Sequence, residues 1–291
     1  MKPINFFDTL IDKEAGSNVL SVLNTTFLSE GVVAKEFESS LEKNLNVENI
    51  VTVNSGTSAL HLSLVLAGVG PGDEVILPPQ TFIASGSTIL MQQAKPIFCD
   101  INYDDGNINV DAIEDKITSK TKAIMVVHWA GLPCDMDKIK IIAERYNLAI
   151  IEDAAHAIGA EYKSSTIGSI SDYTCFSFQA IKHLTTGDGG AIAIKNYNKY
   201  IEAKRKRWFG LDRENSQVSD LGERDCNVFE LGYKYHLNDL VASLGLSNLK
   251  NLKQQLIKRR EIAFLYDKNL KDVSSINLFK KDKYKNLNSN W

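Results

Sequence analysis

Between about residue 50 and residue 195 the chain alternates short apolar, β-branched runs with segments of helical period. Strand-like runs occupy 50–53, 74–77, 96–101, 123–128, 149–152, 174–178 and 191–195, and helix-period segments fill 57–67, 83–92, 110–117 and 136–146. Alternation of this kind argues for an α/β layered fold built on a mostly parallel sheet of seven strands. After residue 238 the pattern changes to one helical stretch, 239–270, with Leu240, Leu244, Leu249, Leu252 and Leu256 near helical spacing. At 291 residues the chain exceeds a typical single core. We therefore expect a large domain over 1–238 that carries an N-terminal arm, then a linking helix and the start of a smaller domain over 239–291.

Composition removes several classes of function. A formal charge of −3 has no polyelectrolyte character, so neither nucleic acid nor an anionic membrane is a favoured partner. The cysteines at 99, 134, 175 and 226 form no C-x-x-C pair, and the five histidines are scattered without an H-E-x-x-H, so no metal site is expected. No G-x-G-x-x-G follows the first strand and no Walker-type glycine loop occurs, which sets aside nucleotide-cofactor oxidoreductases and P-loop enzymes. The N-terminus has no apolar run of signal-peptide length, and a cytoplasmic protein with reduced thiols is the simplest expectation.

Ligands on open α/β sheets bind beyond the carboxyl ends of the strands. Lys182 stands at one such place, in a turn between two apolar runs, and the five residues before it carry no charge. Burial there would favour the neutral amine, which can form a Schiff base with a carbonyl compound or with pyridoxal phosphate. Most lysines in turns are plain surface residues, so the neighbouring strand ends must decide. Asn54 to Leu60, N-S-G-T-S-A-L, opens a helix directly after a strand, and the N–H groups of Gly56 and Thr57 could hold a phosphate; an ordinary helix cap is the alternative. Asp153 ends a buried strand, where a protonated pyridine nitrogen would be a suitable partner. His156 could meet the phenolic oxygen of the same ring, Phe82 could stack on its face, and Ser177 could give a hydroxyl to its phosphate. A structural histidine and a core phenylalanine are the ordinary readings of two of these.

The motifs S-G-T-S-A-L-H-L-S-L, G-D-E-V-I-L-P-P-Q-T-F-I-A-S, D-M-D-K-I, I-E-D-A-A-H-A, C-F-S-F-Q-A-I-K-H-L-T-T-G-D-G-G-A and G-Y-K-Y-H-L-N-D-L, in this order, resemble those of the DegT/DnrJ/EryC1/StrS sugar aminotransferases. The likeness runs from about Gly31 to the end. It implies the fold-type-I, aspartate aminotransferase-like architecture and pyridoxal 5'-phosphate as cofactor. It also implies a homodimer with shared active sites, and transfer of an amino group from glutamate to a nucleotide-linked keto sugar of the 4-keto-6-deoxy class. Carried over by motif, Lys182 would hold the cofactor as an internal aldimine and Asp153 would pair with its ring nitrogen. Gly56, Thr57 and Ser177 would bind its phosphate, Phe82 would stack on the ring and His156 would contact the 3-hydroxyl. His236 stands where the family often has Asn or Arg reaching the phosphate of the neighbouring subunit's cofactor.

Gln179, His183 and Asp188 depart from common family residues, and Trp291 falls where the family's small domain should still be continuing, which reads as a truncated second domain. Two other functions fit the same motifs. One is the related deoxysugar dehydratase, which carries histidine at the lysine position; Lys182 argues against it. The other is a non-catalytic relative that binds cofactor or sugar as a regulator or scaffold. The loop 205–213 holds Trp208 and Arg213, which could meet a nucleotide diphosphate or simply pack a helix end.

Overall fold

The structure is a computed structural model and describes residues 8–223 and 227–279; Cys226 and the polar tail from Lys280 to Trp291 lie outside the described residues. Two helices, α1 (Ala15–Thr25) and α2 (Val32–Leu45), precede the sheet. There follow β1 (Ile50–Val53), α3 (Gly56–Leu66), β2 (Glu74–Leu77), α4 (Ile83–Met91), β3 (Lys95–Phe98), β4 (Thr121–Val127), α5 (Met136–Tyr146) and β5 (Ala149–Asp153). A small hairpin, β6 (Glu161–Tyr162) and β7 (Ser165–Thr166), leads to β8 (Tyr173–Ser177), β9 (Gly190–Ile194) and α6 (Tyr197–Lys206). The described chain continues to α7 (Asp239–Leu249) and α8 (Leu252–Leu270). No helix among the described residues is long and apolar enough to cross a membrane.

The seven-stranded sheet runs β1-β9-β8-β5-β4-β2-β3. From β8 through β5, β4 and β2 to β3 every pairing is parallel, while β9 is antiparallel to both its neighbours. Successive side chains enter opposite layers, as the strand period demands. Ile50, Ile76, Ile124, Ile150 and Phe176 join the layer under α2 and α5, and Val51, Val75, Met125, Ile151 and Cys175 join the layer under α3. Both faces are covered, so β1, β2 and β9 are buried at every residue.

Two expectations required correction. The segment 110–117 is not an α-helix but two 3₁₀ turns, Val110–Ala112 and Glu114–Lys116. Its buried apolar residues, Val110 and Ile113, are three apart, which is the 3₁₀ repeat. The stretch 239–270 is likewise broken, between α7 and α8, where the Asn251 side chain donates to Asp12 rather than capping α8. Leu240 and Leu244 are only half-buried. The packed face of α7 is made of small residues, and a Cβ on Gly245 would lie 2.6 Å from the Phe37 ring.

One buried cation joins several of these elements. Arg207 is 3% exposed. Its guanidinium meets Glu38 of α2, Glu30 at 2.8 Å and the Thr52 carbonyl of β1 at 2.9 Å. Glu38 also accepts from the Thr52 N–H and hydroxyl at 2.8 and 2.9 Å. Removing one partner of a buried ion network leaves the others charged and unpaired, at a cost of about 3–5 kcal/mol. Arg207→Leu should therefore lose a stability of that order in urea unfolding, and an unchanged midpoint would show that the network carries no such weight.

Candidate active site

At the carboxyl ends of β5 and β8, beside the start of α3, lies a cavity of about 500 Å³. Gly56, Thr57, Phe82, Asp153, His156, Ser177 and Lys182, all singled out from the sequence, line it. His236 does not. It bridges Val53 at the far edge of β1 and packs its ring 3.7 Å from that of Trp208, with Nδ1 buried and lacking a hydrogen-bond partner. Burial, helped by Lys234, Arg207 and Arg213, pushes its pKa down to about 4, so the imidazole is neutral at pH 7.

The corner formed by Gly56, Thr57 and Ser177 follows from chain geometry. Ser55 caps α3, its hydroxyl accepting the Ser58 N–H at 3.0 Å. Gly56 and Thr57 are the first two helical residues, so their N–H groups have no intrahelical acceptor and carry the positive end of the helix dipole. A Cβ on Gly56 would sit 2.9 Å from Ser177 Cβ, which explains the glycine and puts the Ser177 hydroxyl beside those N–H groups.

Lys182 reaches the cavity because β9 is antiparallel to β8. The chain leaves β8 at Ser177, turns through a Lys182 N–H to Gln179 carbonyl bond of 2.9 Å, and returns to the sheet at Gly190. Burial lowers the pKa of Lys182, and the charge of Asp153 raises it. Burial raises the pKa of Asp153, opposed by the Ser85 hydroxyl at 2.7 Å, by the Ala155 N–H at 3.2 Å and by Lys182. His156 is driven down to about 3 by burial and by Lys182, and is neutral.

Several cavity residues escaped the reading from sequence. Trp129, 5.7 Å from the His156 ring, forms a wall on a 3₁₀ turn after β4. His128, fully buried, donates from Nε2 to Glu152 at 2.6 Å because its Nδ1 accepts the Cys134 N–H. The strand-end rule, applied after β4 as it was after β5, would have found both.

The residues fit a flat, phosphate-bearing aldehyde. Anion donors lie at one corner, a carboxylate at the floor and a lysine on a hairpin turn, with a space between them the size of a cofactor. The model of the DegT/DnrJ/EryC1/StrS aminotransferase family matches residues 9–291. The chain belongs to this family. The UDP-4-amino-4-deoxy-L-arabinose--oxoglutarate aminotransferase of Shewanella sediminis is 37% identical over 272 residues, 91% of this chain and 69% of its own. Among solved structures, AtS13 from Actinomadura melliaura superposes with a TM-score of 0.88 at 37% identity, over 95% of this chain and 75% of that one. A putative sugar aminotransferase of Streptococcus pneumoniae in its PLP form gives 0.83 at 33%, over 92% and 72%. The same protein in its PMP form gives 0.84 at 32%, over 93% and 73%. The fold is thus that of the fold-type-I aminotransferases.

The opposed shifts of Lys182 and Asp153 make a signed prediction. Asp153→Asn removes the charge that raises the lysine's pKa, so that pKa should fall further. The pH dependence of Lys182 acylation, followed by peptide mass spectrometry, reads the change; an upward move or none would contradict it.

Proposed function

We propose that this chain transfers an amino group from glutamate to the keto group of a nucleotide-linked sugar, using pyridoxal 5'-phosphate held by the cavity residues named above. The reading is carried by one observation: a half-buried lysine, a buried carboxylate and a helix N-terminus share a single cavity in an aminotransferase fold. The relative whose name pairs a UDP-linked amino sugar with oxoglutarate supports the choice of substrates, and the PLP and PMP forms of the pneumococcal protein support the cofactor. When bound, the cofactor supplies the electron sink that lets a C–H bond next to nitrogen break.

In this reading each residue has a definite task. Lys182 would hold the cofactor through its Nζ, and the same amine, when free, would serve as the base that moves the substrate's proton. Burial keeps its amine neutral at a lower pH than a free lysine, as a base requires. Asp153 keeps the ring nitrogen protonated. The N–H groups of Gly56 and Thr57 with the Ser177 hydroxyl anchor the phosphate while the covalent link at Lys182 is exchanged. Neutral His156 would meet the ring hydroxyl, and Phe82 and Trp129 would offer the ring apolar surface.

His236 has a task only across a homodimer, where its buried, unpartnered Nδ1 would be turned toward the other subunit's phosphate. The division at residue 238 belongs to the same reading. Support for it comes from α8, which buries Leu252 and Leu256 and leaves Phe264, Leu265 and Tyr266 exposed for another layer.

Borohydride should fix pyridoxal phosphate onto the peptide bearing Lys182 in wild type and onto none in Lys182→Ala. Glutamate added to the loaded protein should release about one 2-oxoglutarate per site before any sugar is supplied. Cofactor trapped on another lysine would overturn the lysine assignment, and binding without release of 2-oxoglutarate would overturn the aminotransferase reading.

A further inference from the structure

Asp153 is held by two hydroxyls in series. Ser85 is fully buried in the first turn of α4, with its Oγ 2.7 Å from Asp153 Oδ2. Thr81, four residues earlier and lining the cavity, has its Oγ1 2.6 Å from Ser85 Oγ. A serine hydroxyl has one proton. Because Ser85 gives that proton to the carboxylate, it must accept from Thr81, so the chain has a single direction: Thr81 to Ser85 to Asp153. Donors lined up this way polarise one another in a low dielectric and favour the ionised acceptor. Oδ1 takes the longer bond, 3.2 Å from the Ala155 N–H, and retains lone-pair capacity.

The hydroxyl of Ser85 is not used as serine hydroxyls in helices commonly are. Such groups fold back on the carbonyl four residues before. Here the Phe82 carbonyl takes the Ser85 N–H at 3.2 Å, and the hydroxyl leaves the helix for β5. Thr81 precedes Phe82, the residue that starts α4, so the start of that helix fixes both hydroxyls at once.

We propose that Thr81 and Ser85 are positioning residues that pin Asp153 Oδ2 and hold the carboxylate ionised, leaving Oδ1 to take the proton-bearing nitrogen of the cofactor ring. The proposal rests on the assignment of Asp153 under the function given above. Other groups face the same carboxylate: Lys182 from the β8–β9 turn, His128 at the end of β4, Cys175 beside it on β8, and His156 beyond β5. His128 is committed to Glu152 and Cys134, and burial keeps the Cys175 thiol protonated. Once its amine is bonded to the cofactor, Lys182 would no longer face Asp153 as a free ammonium. The two hydroxyls would then support the carboxylate from Oδ2 while the ring N–H meets Oδ1.

The test compares equilibrium affinity for pyridoxal phosphate in wild type, Thr81→Val, Thr81→Ser, Ser85→Ala, Asp153→Asn and the double variant Ser85→Ala/Asp153→Asn. Ser85→Ala should weaken binding about tenfold, and the isosteric Thr81→Val about threefold. Thr81→Ser should restore the wild-type value, and the double variant should bind no more weakly than Asp153→Asn alone. Infrared difference spectra against Asp153→Asn, taken without cofactor, supply a second readout. The protonated-carboxyl stretch should persist to higher pH in Ser85→Ala and Thr81→Val, a change that mere packing would not cause. If Asp153→Asn binds as tightly as wild type, the assignment of Asp153 fails and this proposal with it. If Asp153→Asn binds weakly while the hydroxyl variants bind and titrate as wild type, or if Ser85→Ala and Asp153→Asn add in full, the relay alone is overturned.

Discussion

A single buried guanidinium fixes the turn that opens α3 at the cavity corner. Arg207 binds Glu38 of α2, Glu30 before it and the Thr52 carbonyl of β1, and its own carbonyl takes the Tyr235 N–H at 2.9 Å. Tyr235 in turn accepts the Asn54 N–H at 2.7 Å, one residue before the Ser55 cap of α3. Buried ion networks contribute little net stability compared with well-packed apolar groups, because desolvation offsets most of the attraction. They are demanding about geometry, however, because partners from several elements must converge on one charge. In this fold that demand falls on β1, an end strand of the sheet, which pairs with β9 on one side and is held by α2 and the Tyr235 segment on the other. The turn from β1 into α3 is thereby fixed at both ends before any ligand arrives.

A second constraint lies at the cavity floor, where burial acts oppositely on two neighbours. It pushes Asp153 toward the neutral acid and Lys182 toward the neutral amine, while their mutual attraction pushes both back toward charge. Neither extreme suits the proposed chemistry, which needs a carboxylate and a basic amine together. Sheet topology makes the compromise possible. Parallel strands deliver Asp153 at a carboxyl end, and the one reversed strand, β9, lets the chain carry a lysine out over that end and come back.

The strands were legible because both faces of the sheet are covered. Four- and five-residue strands such as I-V-T-V and A-I-I-E-D stand out when all or nearly all of their positions are buried, whereas the edge strand K-P-I-F, half in solvent, ends three residues earlier than its pattern suggests. The cavity residues that were legible also lie at strand ends: Gly56, Asp153, Ser177 and Lys182. What escaped notice either follows β4, a strand end like the others, or depends on tertiary contacts that leave no local period. Trp129 faces the cavity through a turn in which Ala130 takes a left-handed conformation, φ 51°. The break before Asn251 depends on an aspartate 239 residues earlier in the chain. Ser85 lay inside the quoted motif T-F-I-A-S, but only its 2.7 Å approach to Asp153 distinguishes it from an ordinary helical serine.

The choice between amination and dehydration turns on the phase of one short turn. A dehydratase of this family resemblance needs histidine where Lys182 stands, and the chain does have a histidine next door. Lys182 and His183 do not share a cavity on equal terms. Lys182 lines the cofactor-sized space with Asp153 and Ser177 and also reaches a small polar niche behind the turn, whereas His183, 7% exposed, lines that niche with Asn248, Asn251 and Arg259 and does not line the larger space. The turn itself is tied by the Lys182 N–H to Gln179, the Thr186 N–H to the Phe178 carbonyl at 2.9 Å, and the Asn248 side chain to the Thr185 carbonyl at 2.8 Å. Moving His183 into the lysine's place would shift the turn by one residue and break these bonds together, each worth about 1 kcal/mol. A basic imidazole cannot be brought to the reacting carbon at that cost while the lysine already occupies the position. The geometry of the hairpin therefore favours nitrogen transfer over loss of a hydroxyl, independently of which sugar the cavity receives.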